Sequence, residues 1–420
     1  MTDDTPGNIP STRRSSLGAS YWRLWASSGL SNLADGIVRI ALPLVAVQLT
    51  RSPSLIAGLT ITLTLPWLLF ALHAGALADR LDRRRVMLAA NGTRITLLAG
   101  LALLTVLDAG SIWALYAVAF CLGTAETVYD TAAQSILPQI VHRDQLSRAN
   151  GRLYAAELTA NEFIGPPLAG FLTAVGVALA FTAPAIMWIF AVVALLLVRG
   201  SFRIERKGST SLRADIAEGL RFLWHHRLLR TLAVMVGVFN FATNAVLAVF
   251  VLYAVGPTSP MGLSGPAFGL LLTAIAAGSL CGSLVAERIE RLLGRARSLI
   301  LAFVCGALLL GIPAATTHPL LIGAGFFIGG VGIVIWNVVT VSLRQRITPD
   351  RLLGRLNSGY RLVAWGTRPL GAAAGGLLAS AFGLRAVFAI MAMLTFLLIA
   401  SMRTVTNDRM DAAEREAGHA

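Results

Sequence analysis

Charge is what this chain has least of. Only 13% of its 420 residues are Asp, Glu, Lys or Arg, while 56% are hydrophobic. A soluble domain carries roughly 25% charged residues, so the composition excludes an ordinary soluble domain and points to a polytopic membrane protein. Lysine is almost missing: Lys207 is the only one among 35 basic residues, and Gly208 follows it. A Walker-type phosphate loop needs Gly-Lys-Ser/Thr, so nucleotide hydrolysis by such a loop is excluded. Work would have to draw on an ion gradient or a partner chain. Cysteine is scarce as well, and Cys121, Cys281 and Cys305 all fall inside apolar runs. That excludes a disulfide framework, and no Cys/His cluster has metal-ligand spacing. Neither a metal nor a cofactor is expected. Residues 1–20 are polar, with no apolar core preceding a cleavage site, so no cleavable signal is expected.

What is abundant is apolar sequence in long runs. A spanning helix needs ~20 mainly apolar residues. Twelve stretches qualify: 23–49, 54–78, 86–107, 112–136, 153–175, 178–198, 230–254, 266–286, 298–315, 319–342, 358–381 and 384–402. The formal charge of +14 could suit nucleic acid, but the arginines sit in short loops between the runs, as cytoplasmic loops do. Thirty of the 35 basic residues fall on one side of the twelve-span arrangement, and the opposite loops hold only Arg51 and Arg385. Both termini are therefore expected in the cytoplasm, in a multi-pass inner-membrane protein that meets lipid and no nucleic acid. The expected division is a tail at 1–22, a first bundle at 23–198, a linker at 199–229, a second bundle at 230–402 and a tail at 403–420. Within the linker, Leu212, Ile216, Leu220 and Leu223 recur near helical period, which predicts an amphipathic helix, either on the inner membrane surface or as a solvated linker helix.

The chain is organised around Gly75 to Arg85, a charged turn between two apolar runs. Its Ala78-Asp79-Arg80-Leu81-Asp82-Arg83 is echoed 208 positions later by Ala286-Glu287-Arg288-Ile289-Glu290-Arg291. A second echo joins Ser135–Asn150 to Ser342–Asn357 at an offset of 207. Two stretches at nearly one offset imply two six-helix bundles related by a parallel repeat, a transporter plan.

The turn, with Gly75, Asp79, Arg80, Arg83 and Arg84 in their places, resembles the loop 2–3 signature of the major facilitator superfamily. It departs at Asp82, where the family pattern has glycine. In the fifth span Gly165-Pro166-Pro167-Leu168-Ala169-Gly170 resembles the core of the antiporter signature, with Asn161 replacing an upstream glycine. The Ser31-Asn32-Leu33-Ala34-Asp35 start and the Leu146–Asn150 turn are most similar to the enterobactin-exporter and macrolide-efflux branch. The resemblance implies an all-α fold of twelve transmembrane helices in two pseudo-symmetric bundles. It also implies that spans one, four, seven and ten line a cavity. It assigns Asp130 an ion pair with Arg83, and places Asp79 at the start of span eleven, contacts that would hold the outward-open state. Arg94 in span three has no role in that plan.

Ionisable residues at membrane depth are costly and usually functional. Asp35 and Arg39 lie four apart in span one and share a face; they form either a coupling site or a self-neutralising pair. Glu126 and Asp130 are four apart in span four, Glu162 precedes the Gly-Pro break, and Arg368 is mid-depth in span eleven. Asn161, Asn240, Asn244, Trp336 and Asn337 are cavity-lining candidates. Acids thus concentrate in the first half and neutral hydrogen-bonding groups in the second.

With the resemblance, these features imply a secondary transporter, not an enzyme: a proton antiporter, functional as a monomer, that exports a small amphipathic compound of drug, macrolide or siderophore type. Alternatives are uptake or facilitated diffusion within the same superfamily, and a membrane-embedded enzyme or sensor outside it. The enzyme predicts a nucleophile–base or metal constellation at membrane depth, and none stands in the sequence.

Overall fold

The computed structural model describes residues 17–142, 145–200, 202 and 212–418, and nearly all of them are helical. Four crossings open the first bundle: α1 (Ala19–Leu49), α2 (Pro53–Arg80), α3 (Arg83–Val106) and α4 (Ile112–Ile136). The fifth is composite, with α5 (Leu146–Leu158) and α6 (Gly165–Val175) joined by a π-helical turn at Thr159–Ile164. The sixth is α7 (Val177–Leu196), and α8 (Leu212–His225) leads to the second bundle. That bundle holds α9 (Arg227–Ala254), α10 (Gly265–Leu293), α11 (Arg295–Ala315), α12 (Pro319–Ile347), α13 (Asp350–Phe382) and α14 (Leu384–Ser401). A last helix, α15 (Asn407–Gly418), follows.

Tight polar turns start the helices at the end away from the basic loops. Ser52, Ser111 and Ser264 each accept a bond from a backbone N–H of the first turn. Pro53 and Pro266 occupy first-turn positions where no helical N–H is needed. Among the described residues ten helices are long and apolar enough to cross a membrane by length and composition. The fifth crossing fails that measure because the π turn divides it. The eleventh fails because Arg368 and several Gly, Ser, Thr and Pro residues lower the hydropathy of its most apolar stretch, 365–382. At the basic ends helices outrun their apolar runs: α10 continues to Leu293, α12 to Ile347, and α13 begins at Asp350. Hydropathy marks where lipid stops, whereas backbone hydrogen bonding continues into water.

The two halves pack alike. In the first bundle α2 lies on α4 and α7 lies on α1 and α3; in the second α10 lies on α12 and α14 on α9 and α11. Contacts between bundles run through α2 with α13 and α6 with α10. One apolar core crosses both bundles at the end opposite the basic loops, joining Leu44, Ile56 and Leu59 to Val249, Tyr253 and Phe388. At the basic end each bundle has its own core, around Tyr21, Val86 and Leu137 in one and Leu343, Ile347 and Leu356 in the other. Among the described residues, the apolar core that joins the halves therefore lies at one end.

Small residues make the seal tight. A Cβ on Gly170 would lie 2.2 Å from the Gly265 carbonyl oxygen, and one on Gly269 would lie 2.1 Å from that of Pro166. Across the other seam Ser54 Oγ meets Ser380 Oγ at 2.9 Å, and Arg51 donates to the Val255 carbonyl at 2.9 Å. Close backbone approach through small residues is how helices gain packing energy in lipid.

The linker segment does form a helix, and its described part packs on protein. α8 lies against α13, with Leu223 fully buried and Glu218 bonded to Arg355. Gly219 sits so close to the Arg355 carbonyl that a Cβ would come within 2.0 Å. The side chains of Leu212 and Ile216 lie outside the described residues. Leu223 and Gly219 of α8 thus pack on protein. The final segment is likewise more than a tail. Met410 of α15 is fully buried, and Arg295 binds Asp411 at 2.8 Å and Glu414 at 2.5 Å.

Candidate functional site

The charged turn is stitched by backbone contacts. Asp82 accepts from the Arg85 N–H at 3.2 Å, capping α3, and its other oxygen accepts from the Phe202 N–H at 3.0 Å. Its φ is −64°, so this turn has no need of the family's glycine. Arg84 donates to the Leu195 and Leu196 carbonyls at the end of α7, at 3.0 and 2.6 Å, where a helix terminus welcomes a cation. Arg83 is buried and donates to the Ser135 carbonyl. Asp130 forms no ion pair with Arg83, so the pairing implied by the resemblance is unmade in this state. Arg80 is exposed and Gly75 half-buried. The side chain of Asp79 lies outside the described residues.

Deeper in the first bundle the charges pair across helices rather than along them. Asp35 faces Arg94, with Oδ2 3.3 Å from Nη1. That guanidinium group also donates to Ser31 Oγ at 3.0 Å and Asn91 Oδ1 at 3.2 Å. Its faces are covered by Tyr129 and Trp188, whose ring centroids lie 5.0 and 5.3 Å away. Arg94 thus acquires the role that sequence reasoning missed. The available signal was a lone arginine in an otherwise apolar span.

Arg39 turns the other way, into the space between bundles. Its Nη1 lies 3.2 Å from Glu162 Oε1 and its Nη2 lies 4.0 Å from Glu126 Oε1. These three side chains are 44%, 47% and 32% exposed at the middle of their helices, so they line a cleft. The alternative of a permanent Asp35–Arg39 pair is therefore not what forms. The π turn explains how the fifth crossing serves two faces. Asn161 is buried and donates to Asn32 Oδ1 of α1 at 2.9 Å, while the next residue, Glu162, reaches Arg39. A π turn widens the helix by one residue and is frequent at functional sites. Gly165 follows at once, and a Cβ there would lie 2.8 Å from the Gly36 backbone. Pro166 packs on Gly269 of α10, so the Gly-Pro stretch locks the fifth crossing between α1 and α10.

The opposing wall comes from α13. Arg361 stacks on Trp67 and Trp365, at 5.0 and 4.5 Å, and Arg368 stacks on Trp365 at 4.7 Å. Arg39, Glu162 and Arg361 lie near enough to Arg368 to act on its charge. The neutral candidates fare unevenly. Asn240 is tied to the Ala364 carbonyl at 2.7 Å and Asn244 to the carbonyl of Asn240 at 2.9 Å. Trp336 is a correction: it is buried and packs edge-on against Phe303 at 4.9 Å, inside the basic-end core. Asn337 beside it is exposed.

Residues 17–419 match a family model described as transmembrane secretion effector. The chain belongs to that family. The chain is 28% identical over 402 residues to the multidrug efflux pump Tap of Mycobacterium tuberculosis (strain ATCC 25618 / H37Rv), covering 91% of this chain and 92% of that one. It is 27% identical over 332 residues to the enterobactin exporter EntS of Citrobacter koseri, covering 78% and 77%. Among solved structures it resembles a bacterial homologue of the iron transporter ferroportin in an inward-facing state, with TM-score 0.71 and 17% identity, covering 92% and 99%. A bacterial homologue of the lysosomal transporter Spinster, inward-facing and unoccupied, aligns with TM-score 0.68 and 14% identity, covering 97% and 98%. The fold is that of the major facilitator transporters, and the chain is a multi-pass membrane protein of that kind.

Proposed function

We propose that the protein is a proton-driven exporter of small amphipathic compounds, working as a monomer in the cytoplasmic membrane with its basic loops inside. Export rather than uptake is supported by relatives named as efflux pumps and exporters. The positive-inside rule supports the orientation. On this orientation the cleft, sealed at the far end, opens toward the cytoplasm, where an exported compound would enter. Alternating access then requires the Ser54–Ser380 and Gly170–Gly265 seams to part while the basic ends meet. Asp130 and Arg83 would pair in that second state.

The observation that carries the coupling is the sharing of Arg39 between Glu126 and Glu162 in an accessible cleft. A guanidinium held by two carboxylates can be handed from one to the other. Protonation of either carboxylate releases its half of the pair, so proton occupancy and the position of Arg39 are linked. Asp35 is held by Arg94 in the interior, apart from that exchange. The Gly-Pro stretch would hold the fifth crossing against α1 through Gly165 and Gly36 while its seam with α10 parts.

The test is proton movement in inside-out vesicles with an acidified lumen. Addition of a transported amphiphile should alkalinise the lumen in wild type, and Glu126→Gln or Glu162→Gln should abolish that response while leaving substrate binding in place. Substrate-dependent proton release of wild-type size in both variants would reject the assignment.

A further inference from the structure

The wall contributed by α13 has a chemistry that the coupling scheme does not use. Arg361 and Arg368 lie seven positions, close to two helical turns, apart on one helix, with Trp365 between them and Trp67 of α2 closing over Arg361. The two indoles lie 4.7 Å apart by centroid, tilted by 56°. Neither guanidinium has a carboxylate within ion-pair distance or a hydrogen-bond acceptor among the described residues, and the Nε of each is buried without a partner. Their terminal nitrogens are not enclosed in that way, so they remain open to the cleft. This contrasts with Arg94, Arg295 and Arg39, each of which is held by at least one acid.

Stacking on an indole covers the face of a guanidinium and leaves its in-plane N–H donors aimed outward. Those donors match a planar oxyanion, which they can bind in a two-pronged fashion. The neighbouring indoles supply an apolar, polarisable surface for a ring attached to that anion. The wall opposite carries Glu126 and Glu162 against Arg39, so the cleft is positive on the α13 side and richer in carboxylates on the other. An unsatisfied pair of cations at membrane depth is costly, and a bound anion would relieve that cost.

We infer that Arg361, Arg368, Trp365 and Trp67 form a subsite for the acidic group of an aromatic substrate, a carboxylate or phenolate carried on a flat ring. The inference rests on the transport reading for its physiological meaning, but the binding it describes needs no gradient. The competing role for the two arginines is interbundle pairing on closure, with Asp130 and Glu162 as the carboxylates in their field.

The experiment is equilibrium binding to purified full-length protein, read by quenching of tryptophan fluorescence. The probes are three matched ligands: 2-naphthoate, 2-naphthamide and 2-naphthylmethylammonium. The expected order is naphthoate tightest by about tenfold or more, the factor set by roughly 1.4 kcal/mol of charge-assisted hydrogen bonding. Arg368→Gln and Arg361→Gln should each erase that preference while leaving naphthamide within about twofold, and Arg368→Lys should retain part of it. Thermal unfolding of each variant separates loss of the subsite from loss of the fold. A cation bound as tightly as the anion, equal weakening of all three probes in folded variants, or no binding of any probe would overturn the inference. Proton release in the vesicles is scored separately, so loss of coupling with an intact naphthoate preference rejects the transport scheme and leaves the subsite standing.

Discussion

Arg94 and Asp35 meet at 3.3 Å inside the first bundle, the arginine side chain 1% exposed and the aspartate 12%. Removing one partner of a buried ion pair leaves an uncompensated charge and costs about 3–5 kcal/mol. Asp35→Asn should therefore destabilise the protein on that scale. The double variant Asp35→Asn/Arg94→Gln should recover part of the loss, because the stranded cation is gone too. Thermal unfolding of the three proteins in one detergent checks this, and strictly additive effects would show that the two side chains do not act as a pair.

The Ser54–Ser380 seam reports which end is closed. With the three native cysteines replaced by alanine, Ser54→Cys/Ser380→Cys should cross-link readily under mild oxidant, since the two Oγ atoms lie 2.9 Å apart. Adding Gly170→Ala should lower the cross-linked fraction. Its Cβ would sit 2.2 Å from a backbone oxygen of α10 and force the neighbouring seam to open. Gel mobility after timed oxidation measures the difference.

Arg39 and Asn240 should separate cleanly in transport. Arg39→Gln removes the cation shared by Glu126 and Glu162, and coupled flux should fall by roughly tenfold, the rate effect of about 1.4 kcal/mol. Asn240→Ala cuts a tie between α9 and the Ala364 carbonyl. It should lower transport at every pH without altering the number of protons released per compound. Parallel flux and pH recordings in vesicles decide it.

His226 gives the entry to α9 a pH dependence. Burial pushes its pKa below the ordinary value of 6.5, and its Nδ1 accepts from the Leu229 N–H at 3.4 Å as the helix cap. The unfolded chain then binds a proton that the folded one refuses, so stability rises with pH between the lowered folded value and 6.5. Acidification through that window should fray the first turn of α9, and His226→Asn should keep the cap and flatten the response. Amide exchange over the first turns of α9 at two pH values is the measurement.

Much of this was legible from local pattern. The predicted span at 112–136 coincides with α4, and the echoes at offsets of 207 and 208 implied the doubled bundle. Trp336 shows the limit. An aromatic beside an asparagine in span ten reads equally as cavity lining or core, and only the neighbouring Phe303 decides for core. The amphipathic repeat of α8 likewise announced an apolar face, but periodicity alone could not tell a membrane surface from a neighbouring helix such as α13.

The sequence by itself determined the membrane class, the twelve crossings, their doubled plan and the list of costly intramembrane charges, because apolar length and charge scarcity are local properties. Only the tertiary structure decided which charges meet. Asp35 and Arg39 lie one helical turn apart, yet Asp35 is satisfied by Arg94 of α3 and Arg39 by Glu126 and Glu162 of α4 and the π turn. A long arginine side chain can reach a neighbouring helix as easily as its own. The partner is therefore set by how helices cross and where a π turn rotates them, which spacing along one chain cannot express.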